Sequence, residues 1–324
     1  MMTSNEILDL VNKYLSEQSY LRKPKQLYEP IRYELLLGGK RIRPTLMLLA
    51  YNLYKDNPES IISAACALET YHNYTLLHDD LMDHASMRRG KPTVHTRWNA
   101  NQAILSGDTM LVLAYQRMMD VDAKLLPQTL DLFTETALEI GEGQQMDMEF
   151  ELRNDVTEEE YIEMIRLKTS VLLACALKMG AILAGASEED ADVLYKYGEL
   201  IGLAFQLQDD YLDVYGTPEV FGKQIGGDIV SNKKTFMLIN AYLKASGEQR
   251  GRLDELLSAE KFDPQEKIKQ VRDLYDDLEI DRLAQERITS YFEQAAECLK
   301  RLSVDPAKLV ELESYTAKMM KRNK

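Results

Sequence analysis

Cysteine is scarce in this 324-residue chain: Cys66, Cys175 and Cys298 are scattered, odd in number and form no Cys-x-x-Cys pair. That excludes a disulfide framework and reads as core thiols in a reducing, cytoplasmic setting. Basic charge is also short, with 39 Lys and Arg against 53 Asp and Glu, a formal net charge of −14. Nucleic acid and anionic lipid both require basic surface, so neither is an expected partner. The 16 glycines and 9 prolines sit mostly between periodic runs, and no Ser/Gly- or Pro-rich linker divides the chain. No run of ~18 apolar residues stands out, so no membrane insertion is expected. The start, Met1-Met2-Thr3-Ser4-Asn5-Glu6, lacks the basic, apolar and small-residue order of a signal peptide. Strand signals are nearly missing as well.

What is present is helical periodicity from end to end. It predicts helices over 5–20 and 25–37, a third opening near Pro44, and a fourth from Pro58 to about 83 with Asn57 as its cap. Others are expected near 99–120, 127–150, 157–181 and 187–214, followed by four or five shorter ones. Polar loops are expected at 84–97 and 216–232. Short links join helix to helix, so the fold class is all-α, a large bundle forming a single domain over residues 1–324.

Two short strings carry the chemistry. Asp79-Asp80-Leu81-Met82-Asp83 and Asp209-Asp210-Tyr211-Leu212-Asp213 are both Asp-Asp-x-x-Asp clusters. Each closes an apolar helical run, and each precedes a loop with basic residues. A helix C-terminus is a poor electrostatic place for anions, so carboxylates there imply compensating cations. Hard oxygen ligands suit Mg²⁺, which bridges carboxylates to substrate phosphates. At 3.6 residues per turn, Asp79 with Asp83, and Asp209 with Asp213, share a face, while Asp80 and Asp210 act from the flank. A lone acidic cluster is usually a solvated face; two matched ones in apolar context point to a phosphorylated substrate held between acidic jaws.

Basic residues follow the same logic. Arg88-Arg89 lie just beyond the first cluster, and arginine's planar fork suits oxyanions. Gly39-Lys40-Arg41-Ile42-Arg43-Pro44 is a second basic group, without the G-x-x-x-x-G-K-[ST] frame of a nucleotide loop. His72 shares a face with Asp79; His78 and His95 read as structural. A zinc site built on His72 and His78 lacks H-E-x-x-H spacing, and the carboxylate excess suits a harder ion. Lys168-Thr169 lies mid-helix among apolar residues, where a lysine snorkels to the surface unless an anion lies opposite.

Together these residues resemble a family. Leu77-His78-Asp79-Asp80-Leu81-Met82-Asp83 with Met87-Arg88-Arg89-Gly90-Lys91-Pro92-Thr93-Val94-His95 resembles the first aspartate-rich motif of the trans-isoprenyl diphosphate synthases, the polyprenyl synthetase family. Phe205-Gln206-Leu207-Gln208-Asp209-Asp210-Tyr211-Leu212-Asp213 resembles the second. Gly38 to Pro44, Gly143-Gln144-Gln145-Met146-Asp147 and Lys168-Thr169 look like its other landmarks.

The resemblance implies an all-α homodimer of the isoprenoid synthase type with a deep central cavity. It implies condensation of isopentenyl diphosphate with an allylic diphosphate (dimethylallyl, geranyl or farnesyl) by ionisation, condensation and elimination. Its cofactor would be Mg²⁺, three ions per site, replaceable by Mn²⁺. Carried over by position, Asp79, Asp83 and Asp209 ligate the metal, with Asp80, Asp210 and Asp213 in support. Arg88, Lys168, Lys223 and Lys233 hold the allylic diphosphate. Lys40, Arg43, His72 and Arg89 hold isopentenyl diphosphate. Thr169 and Gln206 face the allylic cation. One departure is visible: Gln224 is an extra residue in the usual Gly-Lys-x-Gly-x-Asp run, which loosens the register of Gly226, Asp228 and Lys233.

The same motif bears on product length. Tyr74 stands ~7.5 Å and Tyr71 ~12 Å before Asp79 along the helix axis, and Thr75 is small. The family pattern weights the position of Tyr74; helical geometry puts Tyr71 nearer the Asp79 face, ~80° away against ~140°. Two rings at these depths argue against long C30–C50 products; with a non-aromatic Thr75 and no two-residue insertion between Asp80 and Asp83 the run resembles a geranylgeranyl synthase more than a farnesyl one, which implies C20 first and C15 second. Rival readings are a class I terpene cyclase, a non-catalytic subunit of a heteromeric prenyl synthase, and a purely structural helical protein. The cyclase does not need the second basic group. The non-catalytic subunit would have lost aspartates that are intact here. A structural protein leaves the paired acidic motifs unexplained.

Overall fold

A computed structural model describes residues 2–18, 20, 22–217, 225–259 and 261–320. Among them the fold is all-α, as the periodicity predicts; the strands are a two-residue antiparallel ladder, β1 (Met87–Arg88) with β2 (Lys91–Pro92). The helices are α1 (Ser4–Glu17), α2 (Lys25–Leu36), α3 (Ile42–Asn52), α4 (Ile62–Met82), α5 (Val94–Arg97), α6 (Ala100–Met118), α7 (Leu126–Glu151), α8 (Glu158–Ile165), α9 (Val171–Ala184) and α10 (Glu188–Tyr215). Then come α11 (Gly227–Val230), α12 (Phe236–Lys244), α13 (Gly247–Ser258), α14 (Pro264–Asp277), α15 (Ile280–Leu299) and α16 (Pro306–Met320).

One predicted cap is different. Asn57 is left-handed, with φ 69°, and its side chain caps nothing. An N-cap side chain reaches the second or third N–H only from an extended backbone. Here Asn57 instead offers its carbonyl to Ser60 N (3.2 Å) and Ser60 Oγ (2.9 Å). A 3₁₀ turn, Pro58–Ile61, intervenes before α4 begins at Ile62.

The chain forms two compact units: Met1–Thr134 with Cys175–Leu194 and Ser303–Leu312, and Glu135–Ala174 with Tyr195–Leu302 and Glu313–Lys324. In the first, α4 packs against α3 and α6. Its opening run is small and apolar (Ala64, Ala65, Cys66, Ala67), which allows close approach to the buried Leu46 to Leu49 of α3. A buried ion pair fixes the α2–α3 junction on this helix. Arg41 Nη1 lies 2.7 Å from Glu69 Oε1, Nη2 donates to Leu35 O (2.6 Å), and Nε donates to Asn12 (3.2 Å). Removing one partner of such a pair strands a buried charge, at about 3–5 kcal/mol.

Helices α8 and α9 form one run of helix broken by a π turn at Arg166–Ser170, and that turn belongs to the second unit. Such turns bulge the backbone and re-aim side chains, and this one carries Lys168 and Thr169. Helix α7 approaches the turn closely at Gly143, where a Cβ would fall 2.4 Å from Lys168 N. By length and composition the run from Glu158 to Ala184 could cross a bilayer, contrary to the sequence expectation. Arg166 and Lys168 interrupt its apolar residues without ending the helix. The apolar window is 78% buried within the protein, as for a core helix.

Candidate active site

The first acidic motif ends α4, and a tight hairpin follows. Arg89 and Gly90, at its tip, both have positive φ (51° and 72°), the requirement of a two-residue type I′ turn. Arginine is uncommon in that conformation, and here its side chain is held: Arg89 Nη1 donates to Gly38 O. Gly39 has φ 138°, which favours glycine, and a Cβ there would crowd the Arg89 guanidinium at 3.0 Å. Arg88 takes the other direction and grips Asp80, Nε to Oδ2 at 2.8 Å and Nη2 to Oδ1 at 2.7 Å. Asp79 lies 4.0 Å from Arg88.

These contacts gather a positive pocket in the first unit. Arg43 forms no ion pair among the described residues, and its Nε is buried without an acceptor. Burial pushes its guanidinium down to about 10, with Arg89 adding to the effect and Glu69 opposing it. His72 is driven well below its ordinary range by burial first, then by Arg43, Arg89, Arg88 and Arg41. It is therefore a neutral hydrogen-bonding group at physiological pH. Lys40 is exposed on the loop that reaches Arg89. The arrangement fits a multiply charged anion.

Glu34 was not legible as a site residue. It is fully buried on the last turn of α2, and both carboxylate oxygens lack a hydrogen-bond partner among the described residues. Burial raises it to about 7, with Asp80 adding and Arg88, Arg89 and Arg41 opposing.

The second motif ends α10. Asp210 is buried and accepts from the Tyr161 hydroxyl and from Gln206 Nε2 (3.2 Å). Thr169 Oγ1 donates to Gln206 Oε1 (3.2 Å), which joins the π turn to the motif. Burial pushes Asp210 up to about 8 and Asp228 adds to this, against the bonds from Tyr161 and Gln206. Asp213 accepts from Gly227 N (3.2 Å) and Asp228 N (3.0 Å), so it caps α11. Lys168 Nζ lies 2.6 Å from Asp147 Oδ2, and Lys233 Nζ 3.7 Å from the same oxygen. Burial opposes charge on Asp147, yet Lys233 and Lys168 together hold its carboxyl below the usual range. Asp147 is the second residue that the sequence reading left without a role. Lys223 and Gln224 lie outside the described residues.

The six carboxylates divide evenly. Asp80, Asp210 and Asp213 are buried and hydrogen-bonded; Asp79, Asp83 and Asp209 keep solvent-accessible surface. Among the described residues no three His, Cys, Asp or Glu side chains converge into a metal cage. Mg²⁺ rarely uses such a cage: it keeps waters and takes one or two carboxylates plus substrate phosphates. The donors present fit that mode.

Tyr71 is buried edge-on to Phe133 (5.3 Å between centroids) and touches Tyr74 (5.4 Å). Tyr74 is half-buried against His78 (4.9 Å). Thr75 donates to His72 O (2.8 Å). His78 meets Ile104 O (3.2 Å), and His95 meets Thr93 Oγ1 (3.3 Å), both packing roles.

Comparison with known proteins agrees with this chemistry. A sequence profile described as polyprenyl synthetase matches residues 24–275. The chain is 44% identical over 236 residues to a geranylgeranyl diphosphate synthase of Methanosarcina mazei, covering 72% of this chain and 73% of that one. It is 42% identical over 251 residues to a geranylfarnesyl diphosphate synthase of Natronomonas pharaonis, covering 72% and 74%. A crystal structure of a geranylgeranyl pyrophosphate synthase superposes with a TM-score of 0.94 at 40% identity, covering 100% of both chains.

Proposed function

The chain belongs to the polyprenyl synthetase family, and on that premise we propose how its residues divide the work of a short-chain trans-prenyltransferase. It is an (E)-prenyl diphosphate synthase, condensing isopentenyl diphosphate with an allylic diphosphate. Residues 1–324 act as a single catalytic domain.

Asp79, Asp83 and Asp209 are the metal ligands in this reading, and Asp80, Asp210 and Asp213 hold them in place. These carboxylates would hold Mg²⁺, three ions per site and replaceable by Mn²⁺, which would supply charge neutralisation for a departing diphosphate. Arg88, Lys168, Lys223 and Lys233 bind the allylic diphosphate. Lys168 and Lys233 are drawn together by Asp147, which keeps two ammonium groups near one anion site. Lys40, Arg43, His72 and Arg89 bind isopentenyl diphosphate, with His72 as a neutral donor. Thr169 Oγ1 and Gln206 line the site with dipoles rather than a nucleophile, which suits an allylic cation. Such a cation survives only where water is excluded. The proton lost after condensation passes to the released diphosphate.

The observation that carries the reading is Arg43. Its buried Nε has no acceptor among the described residues, and the neighbouring His72 is kept neutral by burial and four arginines, so the group suits an anion. That second anion pocket favours a condensing enzyme over a cyclase, which ionises one diphosphate alone.

On product, the Tyr71–Tyr74 pair speaks against long C30–C50 chains, and the non-aromatic Thr75 with no two-residue insertion between Asp80 and Asp83 supports C20 before C15. On assembly, Leu105 and Val112 on α6 and Met119 just beyond its end recur every seven residues and are exposed. We assign that stripe to a second copy of this chain; light scattering should report a dimer. Three scattered cysteines, none in a disulfide among the described residues, support a cytoplasmic setting. The test is incubation with isopentenyl diphosphate, each allylic diphosphate and Mg²⁺, with products sized by chromatography. A C20 product supports the reading; a cyclised hydrocarbon from one allylic diphosphate alone overturns it.

A further inference from the structure

The loop that carries Lys233 is held from behind by a lysine that has no carboxylate partner among the described residues. Asn232 follows α11 with φ 56°, left-handed, one residue before Lys233. Its side chain is tied at both ends. Nδ2 donates to Leu257 O (2.9 Å) on α13, and Oδ1 accepts from Lys267 Nζ (2.6 Å) on α14. Lys267 is 2% exposed and forms no ion pair among the described residues. Its ammonium otherwise rests 4.2 Å over the Phe262 ring, and burial lowers its pKa. An unpaired buried ammonium and a left-handed non-glycine residue both cost stability, and features of that kind collect where a backbone must be fixed for function.

The same helix braces the other end of α11. Gly226 has φ 82°, and a Cβ there would fall 2.5 Å from Ile268, the residue after Lys267. Between these supports Asp213 caps α11 through Gly227 N and Asp228 N. Lys233 then leaves the turn with its N–H on Asp228 O (2.9 Å) and its ammonium 3.7 Å from Asp147 Oδ2. Thr235 caps the next helix two residues later, accepting from Leu238 N (3.4 Å). Lys233 is thus the one position between a tethered left-handed turn and a capped helix that faces the Lys168–Asp147 pair.

We propose that Asn232, tethered by Lys267, is a positioning residue that sets Lys233 beside Lys168 and Asp147 and so tunes the hold on the allylic diphosphate from outside the site. This rests on the reading of Lys168 and Lys233 as ligands of that diphosphate. The tether acts on one substrate, because isopentenyl diphosphate is assigned to Lys40, Arg43, His72 and Arg89.

Lys267→Met tests it, because the variant keeps the apolar stem and drops the buried ammonium. Its melting temperature should equal or exceed that of the full-length wild type, since an unpaired buried cation has been removed. Its KM for the allylic diphosphate should rise by about threefold to tenfold, the range for one lost hydrogen bond, with kcat and the KM for isopentenyl diphosphate within about twofold. Asn232→Gly keeps the left-handed turn but loses both tethers and should show the same rise; it decides the matter if Lys267→Met does not fold. In a Lys233→Ala background, Lys267→Met should add nothing. The proposal is overturned by an unchanged allylic KM in both folded single variants, or by an equal rise with and without Lys233. A wild type that forms no prenyl product overturns the underlying reading and this role together. An active wild type with insensitive variants overturns this role alone.

Discussion

Arg88 and Asp80 meet as an ion pair, with Nε donating to Oδ2 at 2.8 Å and Nη2 2.7 Å from Oδ1. The first acidic motif therefore comes with one of its three charges already neutralised. Arg88→Ala leaves a carboxylate buried and unpaired, so metal-free protein should lose about 3 kcal/mol in urea unfolding, the low end for a buried pair. Arg88→Lys restores charge but not the fork and should fall between. Arg88→Ala with Asp80→Asn should recover most of the loss; purely additive losses in the double variant would contradict the pairing.

Glu34 gives a pH signature. Its folded-state pKa of about 7 lies above its ordinary 4.5. The folded protein binds this proton more tightly than the unfolded chain, so the site's contribution to stability falls as pH rises from about 4.5 to 7. Glu34→Gln has no such proton to lose. Its melting temperature should match wild type near pH 5 and exceed it at pH 8, by up to about 3 kcal/mol of stability. A gain that shrinks toward pH 8 would contradict the burial of this carboxyl.

The two anion pockets should separate kinetically. Lys40→Ala and Arg43→Ala should raise the KM for isopentenyl diphosphate more than that for the allylic substrate, and Lys168→Ala should do the reverse. Each lost charge-assisted bond costs roughly 1.5–3 kcal/mol, about tenfold or more. Equal effects on both substrates in steady-state kinetics would refute the assignment.

How much of this was legible follows from what each feature depends on. The helices were readable because their apolar period is local, and the two motifs because adjacent aspartates need no distant partner to be conspicuous. Arg89 was visible as a basic residue. Its left-handed turn, and its bond to Gly38, depend on a contact between residues far apart in sequence. Glu34 looked like any polar position on an amphipathic helix, because only packing against Asp80 and the arginines makes it unusual. Asp147 stood within a recognised landmark, but its two lysine partners come from the π turn and from the loop after α11. The π turn itself has no periodic signature, since five residues shift by one position without breaking the apolar run.

Product length should respond to the rings on α4. Tyr71 is buried against Phe133 and Tyr74 is half-buried against His78, so they lie at different depths of one aromatic stack. Replacing Tyr71 and Tyr74 by Ala, singly and together, should lengthen the product by one or more C5 units, read by chromatography of dephosphorylated prenyl alcohols. Tyr71→Ala should also lower stability by about 3–5 kcal/mol, the cost of emptying a buried aromatic site. Product length unchanged in all three variants would place the floor on another helix.

The central claim is that the paired acidic motifs drive diphosphate departure. Turnover of isopentenyl diphosphate with an allylic diphosphate at saturating Mg²⁺, compared among wild type, Asp79→Ala and Asp209→Ala, tests it most directly. Wild type should yield a short-chain prenyl diphosphate, and each variant should lose several orders of magnitude in kcat while keeping its helical fold. Near-wild-type rates in both variants would contradict the account.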